Sequence, residues 1–160
     1  GPQSASHLRT ILKAIKPGSK ITKIFVTHSH LDHSPLAAAL SEKTNAKIYA
    51  HGDSSSGRSV EMSKLAENNL IGGGEGVDAT FQPDISLMDG TALSHDKERI
   101  VAIWTPGHFG NHMAYSFKGY LLFSLTSSNP SFFFFILRTV DMSLDNIDVP
   151  IIPLDASLPE

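Results

Sequence analysis

Leu8, Ile11, Leu12 and Ile15 recur at i, i+3, i+4 and i+7, the spacing that gathers apolar side chains on one stripe of an α-helix. Ser4 or Ser6 ahead of them supplies an N-cap oxygen, and Lys16-Pro17-Gly18 supplies a stop. Residues 21–27 are rich in β-branched and aromatic side chains and predict a buried strand. The strand runs directly into His28-Ser29-His30-Leu31-Asp32-His33. Ser34 and Pro35 then read as N-cap and first residue of a second helix, carried by Leu36 to Leu40 and ending near Asn45. Residues 47–50 predict a short strand, residues 51–59 a polar loop with a flexible Ser54-Ser55-Ser56, and residues 60–68 a third helix.

The pattern changes after the glycine-rich run at 72–76. That run lacks the Gly-Lys-Ser/Thr of a phosphate cradle and reads as a plain loop. Strands are expected around Phe81, over 85–88, over 91–93 after an Asp89-Gly90 turn, and over 100–104, where Trp104 is expected in the core. Thr105-Pro106-Gly107-His108 ends the last of these. Residues 113–117 and 120–123, joined by Lys118-Gly119, predict a hairpin. Three helices interleaved with strands, then a run of strands, predict an α+β fold in layers. Past Ser124 the periodicity is lost. Residues 132–137 are continuously apolar, either a buried strand or an exposed aggregation hazard, and Pro150, Pro153 and Pro159 punctuate the rest. The expected organisation is a core at 1–124 and an atypical tail at 125–160.

Composition narrows the chemistry. The 160 residues, 41% of them hydrophobic, suffice for one domain with a real core. Thirteen Lys and Arg against sixteen Asp and Glu give a net charge of −3, so nucleic acid and membrane surfaces are not expected partners. The absence of Cys excludes disulfides, thiolate catalysis and Cys-based metal sites. Any metal must therefore be held by His, Asp or Glu, and there are eight His. No apolar run reaches the ~18–20 residues of a membrane span, and Gly1-Pro2 opens no signal-like segment. A cytoplasmic location is the expectation.

Three imidazoles and a carboxylate within six residues, at the end of a strand, are suited to zinc chemistry. So short a segment cannot easily aim all four at one ion, which makes two neighbouring metal positions the natural arrangement. His51, which follows a strand and could face the site, is expected rather to anchor its loop or simply be exposed, and His7 and His95 to lie on the surface.

Thr27-His28-Ser29-His30-Leu31-Asp32-His33 resembles the signature of the metallo-β-lactamase fold hydrolases, and Thr105-Pro106-Gly107-His108 is similar to that superfamily's third motif. The resemblance runs from about residue 1 to 124. It implies an αββα sandwich with a zinc or dizinc site at the edge of two sheets. By position, His28, His30 and His108 would hold the first metal, and Asp32 and His33 would belong to the second. His112 would pack or orient the loop of the third motif. A metal-bound hydroxide would attack a small ester, thioester or lactone- or lactam-type substrate. His30 stands where a redox branch of the superfamily carries Glu, which favours zinc hydrolysis over di-iron electron transfer.

The chain also departs from that pattern. Leu125-Thr126 stand where the family has a Gly-Asp pair whose Asp bridges two metals, and no His follows His112. The opening strands of the first sheet have no counterpart ahead of the first helix. The expectation is an incomplete, truncated or C-terminally altered sandwich that binds one zinc, with the second site weak or empty. Asp32 would then accept or orient the proton of the zinc-bound water, and exposed sheet edges would favour homo-oligomers. The alternative is a catalytically impaired metal-binding remnant without turnover.

Overall fold

The computed structural model describes residues 1–68, 76–95, 98–118, 120–124 and 134–138. Helix α1 (Ala5–Ala14) starts at Ser4, whose side chain accepts from the His7 amide, a cap that stabilises a helix by about 1 kcal/mol. Strand β1 (Lys23–Phe25) is shorter than the apolar run that encodes it, because the chain leaves the sheet early to form the histidine loop. Helix α2 (Leu36–Thr44) ends at Asn45 in the left-handed conformation, φ 57°. The helix starts one residue later than the sequence signal: Pro35, not Ser34, is its N-cap, without a side-chain cap bond, and the Ser34 carbonyl accepts from the Ala37 amide. The Ser34 hydroxyl donates instead to Asp78 Oδ2 at 2.8 Å, which ties the helix start to a segment 44 residues away.

Strand β2 (Lys47–Ala50) matches its prediction, and α3 (Val60–Glu67) follows a capping Ser59. Strand β3 (Ile85–Ser86) completes a parallel sheet of order β1-β2-β3. No strand forms around Phe81. The turn at 78–81 buries its ring against the parallel sheet, while the Phe81 amide closes onto the Asp78 carbonyl.

Strands β4 (Ala92–His95), β5 (Glu98–Trp104), β6 (Met113–Phe117), β7 (Tyr120–Ser124) and β8 (Phe134–Arg138) form a second, antiparallel sheet in that order. The β6–β7 hairpin turns at Lys118, φ 50°. Part of the apolar run at 132–137 thus enters the sheet as β8, paired with β7.

Alternation along the parallel strands sorts their side chains between two cores. Ile24, Val26, Ile48 and Ala50 pack under Ala37 and Leu40 of α2 and Leu8, Ile11 and Leu12 of α1. Phe25 and Tyr49 point the other way, onto Ala102, Met113 and Tyr115 of the antiparallel sheet. The fold is α+β, with two sheets face to face and a helical layer on the parallel one. Among the described residues, every helical side chain in these cores comes from α1 or α2. No helix among them is long and apolar enough to cross a membrane.

Candidate metal centre

Two loops meet where β1 ends. The first begins at Thr27, whose carbonyl accepts from the Met113 amide at 2.7 Å and so joins the two sheets. It turns at once: the His33 and Ser34 amides both donate to the His30 carbonyl, and Asp78 and Gly76 hold Ser29 and Leu31 from outside. The second loop, residues 105–112, connects β5 to β6 across the Trp104–Met113 pair. The Thr105 amide donates to the His112 carbonyl, and Thr105 Oγ1 lies 2.7 Å from His112 Nδ1. A loop closed this tightly presents His108 at its tip.

The result is a cluster of imidazoles. His30 Nδ1 lies 3.0 Å from His28 Nε2 and 3.1 Å from His108 Nε2, and one nitrogen from each of the three rings falls within 4.8 Å of the others. Tetrahedral ligands about 2.0–2.1 Å from a zinc ion stand about 3.4 Å apart, so these nitrogens need only small shifts to share one cation. His28 and His30 are buried and His108 is exposed, which leaves an open side toward solvent.

The His33 ring lies 4.2 Å from that of His28, and a 3.1 Å contact joins His33 Nε2 to Asp32 Oδ2. The other carboxylate oxygen, Asp32 Oδ1, is buried and makes no hydrogen bond. A buried carboxylate oxygen without a donor is costly unless a cation or a proton donor occupies the site in the working state. The three convergent imidazoles fit a metal ion, and Asp32, paired with His33 and interacting with the Gly1 ammonium, follows two residues after His30.

Electrostatics agree with that chemistry. Burial holds the His28 pKa far below the ordinary histidine value, and the other four imidazoles around it add to the effect. Burial also lowers His33 to about 4, against the opposing pull of Asp32. Both rings are neutral at pH 7, the form in which imidazole binds metal.

The same shifts give a stability prediction for metal-free protein. Between pH 6.5 and about 4 the unfolded chain protonates histidines that the folded chain keeps neutral, so the unfolded state binds more protons and stability falls as pH falls. The urea midpoint of EDTA-treated protein should drop between pH 7.5 and pH 5.5. An unchanged midpoint would mean that these rings are not desolvated in solution.

His112 is buried with its ring 5.1 Å from that of His28 and its Nδ1 engaged by Thr105. It braces the loop, and it is not among the three converging nitrogens. His51 anchors its loop through a 2.8 Å contact of Nδ1 with the Leu87 carbonyl, and its ring stacks on Trp104 at 5.1 Å. Trp104 is not a core residue. It remains 37% exposed, because its indole N–H reaches out to the Gly110 carbonyl. Nor is the serine-rich loop loose, since Ser55 and Ser56 each give the Asp53 carboxylate an amide and a hydroxyl bond. The side chain of His95, and Leu125-Thr126 with the acidic residues beyond, lie outside the described residues.

Sequence reasoning missed Asn111. It is fully buried, 82 residues from Ser29 in sequence and hydrogen-bonded to it. Its one local signal was its place between His108 and His112.

The family model described as metallo-beta-lactamase superfamily matches residues 4–120. A hydroxyacylglutathione hydrolase of Mesorhizobium japonicum is 33% identical over 106 residues, covering 66% of this chain and 33% of its own length. Another protein of that name, from Francisella tularensis subsp. novicida, is 27% identical over 100 residues, covering 62% of this chain and 30% of its own. The chain thus spans about a third of the length of these relatives. Among solved structures, a metallo-beta-lactamase from Novosphingobium pentaromativorans is similar with a TM-score of 0.53 at 21% identity, over 80% of this chain and 45% of that one. This is a likeness of fold.

Proposed function

Because the chain belongs to the metallo-beta-lactamase superfamily, we propose that it is a zinc-dependent hydrolase of small thioesters, with esters and lactones as weaker substrates. The observation that carries this reading is the convergence of His28, His30 and His108; Asp32, whose Oδ1 is buried without a hydrogen bond, follows in the same loop. Thioesters come first because both matched relatives are named for hydroxyacylglutathione, in which the acyl group is carried on a thiol. A zinc ion on the three imidazoles would supply a polarised water whose pKa is lowered toward ~7.

The chain's own groups would do the rest. Neutral His28 is held by burial, and its Nδ1 sits 3.1 Å from Thr27 Oγ1, which leaves Nε2 turned toward the centre. Asp32 Oδ1 takes the proton of the attacking water, and His33 Nε2 keeps the same carboxylate oriented through Oδ2. The water oxygen bonds to the acyl carbon, the C–S bond breaks, and the proton passes on to the departing thiolate. The products are a carboxylic acid and a thiol. With Asp32 and His33 alone beside it, a second metal position would be weak or empty.

The test is turnover by zinc-loaded protein on a panel of small thioesters, esters and lactones, with His30→Ala as the comparison. Thioester hydrolysis that disappears in His30→Ala is the expected outcome. Zinc bound with no turnover on any class would instead establish the impaired remnant.

A further inference from the structure

We propose that Asn111 is a positioning residue for the metal ligands, a buried amide clamp that sets the distance between the two ligand-bearing loops; this rests on the hydrolase reading above. Its carboxamide is fully enclosed and its polar atoms are engaged. The Oδ1 atom accepts from the Ser29 amide at 3.3 Å, and Nδ2 donates to Ser29 Oγ at 3.1 Å and to the Asp53 carbonyl at 2.8 Å. Ser29 is the residue between His28 and His30, and it is itself buried. One side chain therefore grips the backbone between two of the proposed ligands. It does so from a loop that carries the third ligand, His108, three residues before it.

The third bond brings in another segment. Asp53 lies in the loop that its own carboxylate folds around Ser55 and Ser56, so its carbonyl is a fixed point rather than a mobile one. Next to it the Gly57 and Gly110 backbones touch too closely for any side chain between them. The amide thus closes a three-way junction of residues 28–30, 53–57 and 108–112. The Asn orientation follows from its partners, since only NH2 can serve the Asp53 carbonyl and only oxygen can serve the Ser29 N–H. Outer-shell groups that fix ligand geometry typically change metal affinity by about 10–100-fold when removed.

The experiment measures zinc affinity by chelator competition, and the visible spectrum of cobalt-substituted protein, for wild type, Asn111→Ala, Asn111→Asp and Leu40→Ala. Leu40 is a core residue of α2 outside the centre, so Leu40→Ala reports what loss of stability alone does. Asn111→Ala should weaken zinc binding about 10–100-fold and alter the cobalt spectrum, while Leu40→Ala lowers the melting temperature with both readouts unchanged. Should Asn111→Ala fail to fold, the isosteric Asn111→Asp carries the test. It removes the donors to Ser29 and Asp53 while preserving volume, and it should show the same weakening. Zinc affinity and spectrum equal to wild type in either folded variant overturn the clamp and leave the hydrolase reading standing. Affinity loss in Leu40→Ala equal to that in the Asn111 variants also overturns it. Wild-type protein that binds no zinc overturns both.

Discussion

Wild-type protein incubated with zinc and then desalted should retain about one ion per chain, and His108→Ala should retain almost none. The reason is ligand count. His28 and His30 lie two residues apart and are buried, but two imidazoles make no closed set, and the third nitrogen comes from His108 at the tip of a distant loop. Losing a direct ligand should cost more than the roughly 10–100-fold seen for supporting groups, enough to empty the site on desalting. His51→Ala is the matched control, because its Nδ1 faces the Leu87 carbonyl, and its zinc content should equal wild type. Two tightly held ions per chain would show that Asp32 and His33 complete a second position. Zinc retained in His108→Ala would remove that residue from the ligand set.

Gly57→Ala should be the most destabilising Gly→Ala change among the described glycines. Gly57 has φ +71°, and a Cβ there would stand 2.1 Å from the Gly110 carbonyl oxygen, a backbone atom that cannot swing aside. Gly90 has nearly the same φ, +73°, but open space around it. The pair separates two costs. The left-handed conformation alone costs a non-glycine residue about 1–2 kcal/mol, which is the expectation for Gly90→Ala. The added clash should bring Gly57→Ala to about 4 kcal/mol or more, in the exceptional range for point changes. For a chain of this length that corresponds to a drop in melting temperature of about 10 °C, against about 4 °C for Gly90→Ala. Equal losses would mean that the two loops separate easily, and the junction that aims His108 would lose its rigidity argument.

Much of this protein is local information. The period of Leu8, Ile11 and Leu12, strand 47–50 and the hairpin at Lys118 each follow from a few neighbouring residues, and each is where the sequence puts it, while the cap, open between Ser4 and Ser6 in sequence, falls on Ser4. The histidine-rich loop and the Thr-Pro-Gly-His loop were equally legible, because their chemistry is written in consecutive side chains and both follow strands. Where local reading failed, a distant partner had overruled it. Ser34 is not the cap of α2, which falls on Pro35, and its hydroxyl goes to Asp78 instead. Trp104 left the core because the Gly110 carbonyl needed a donor, and Phe81 was buried from a turn.

Amino-acid order by itself determined which groups the chain has for metal chemistry and which strand ends present them. The family resemblance already grouped His108 with His28 and His30, but no local pattern does, and their meeting depends on the Trp104–Met113 register and on the Met113 amide bonding to Thr27. Only tertiary structure decided that Asn111 grips Ser29 and that Asp32 keeps one buried oxygen in reserve. Periodicity reports which face of an element is apolar. The distance between two loops is set by packing and hydrogen bonds between residues some eighty positions apart, and no local pattern encodes it.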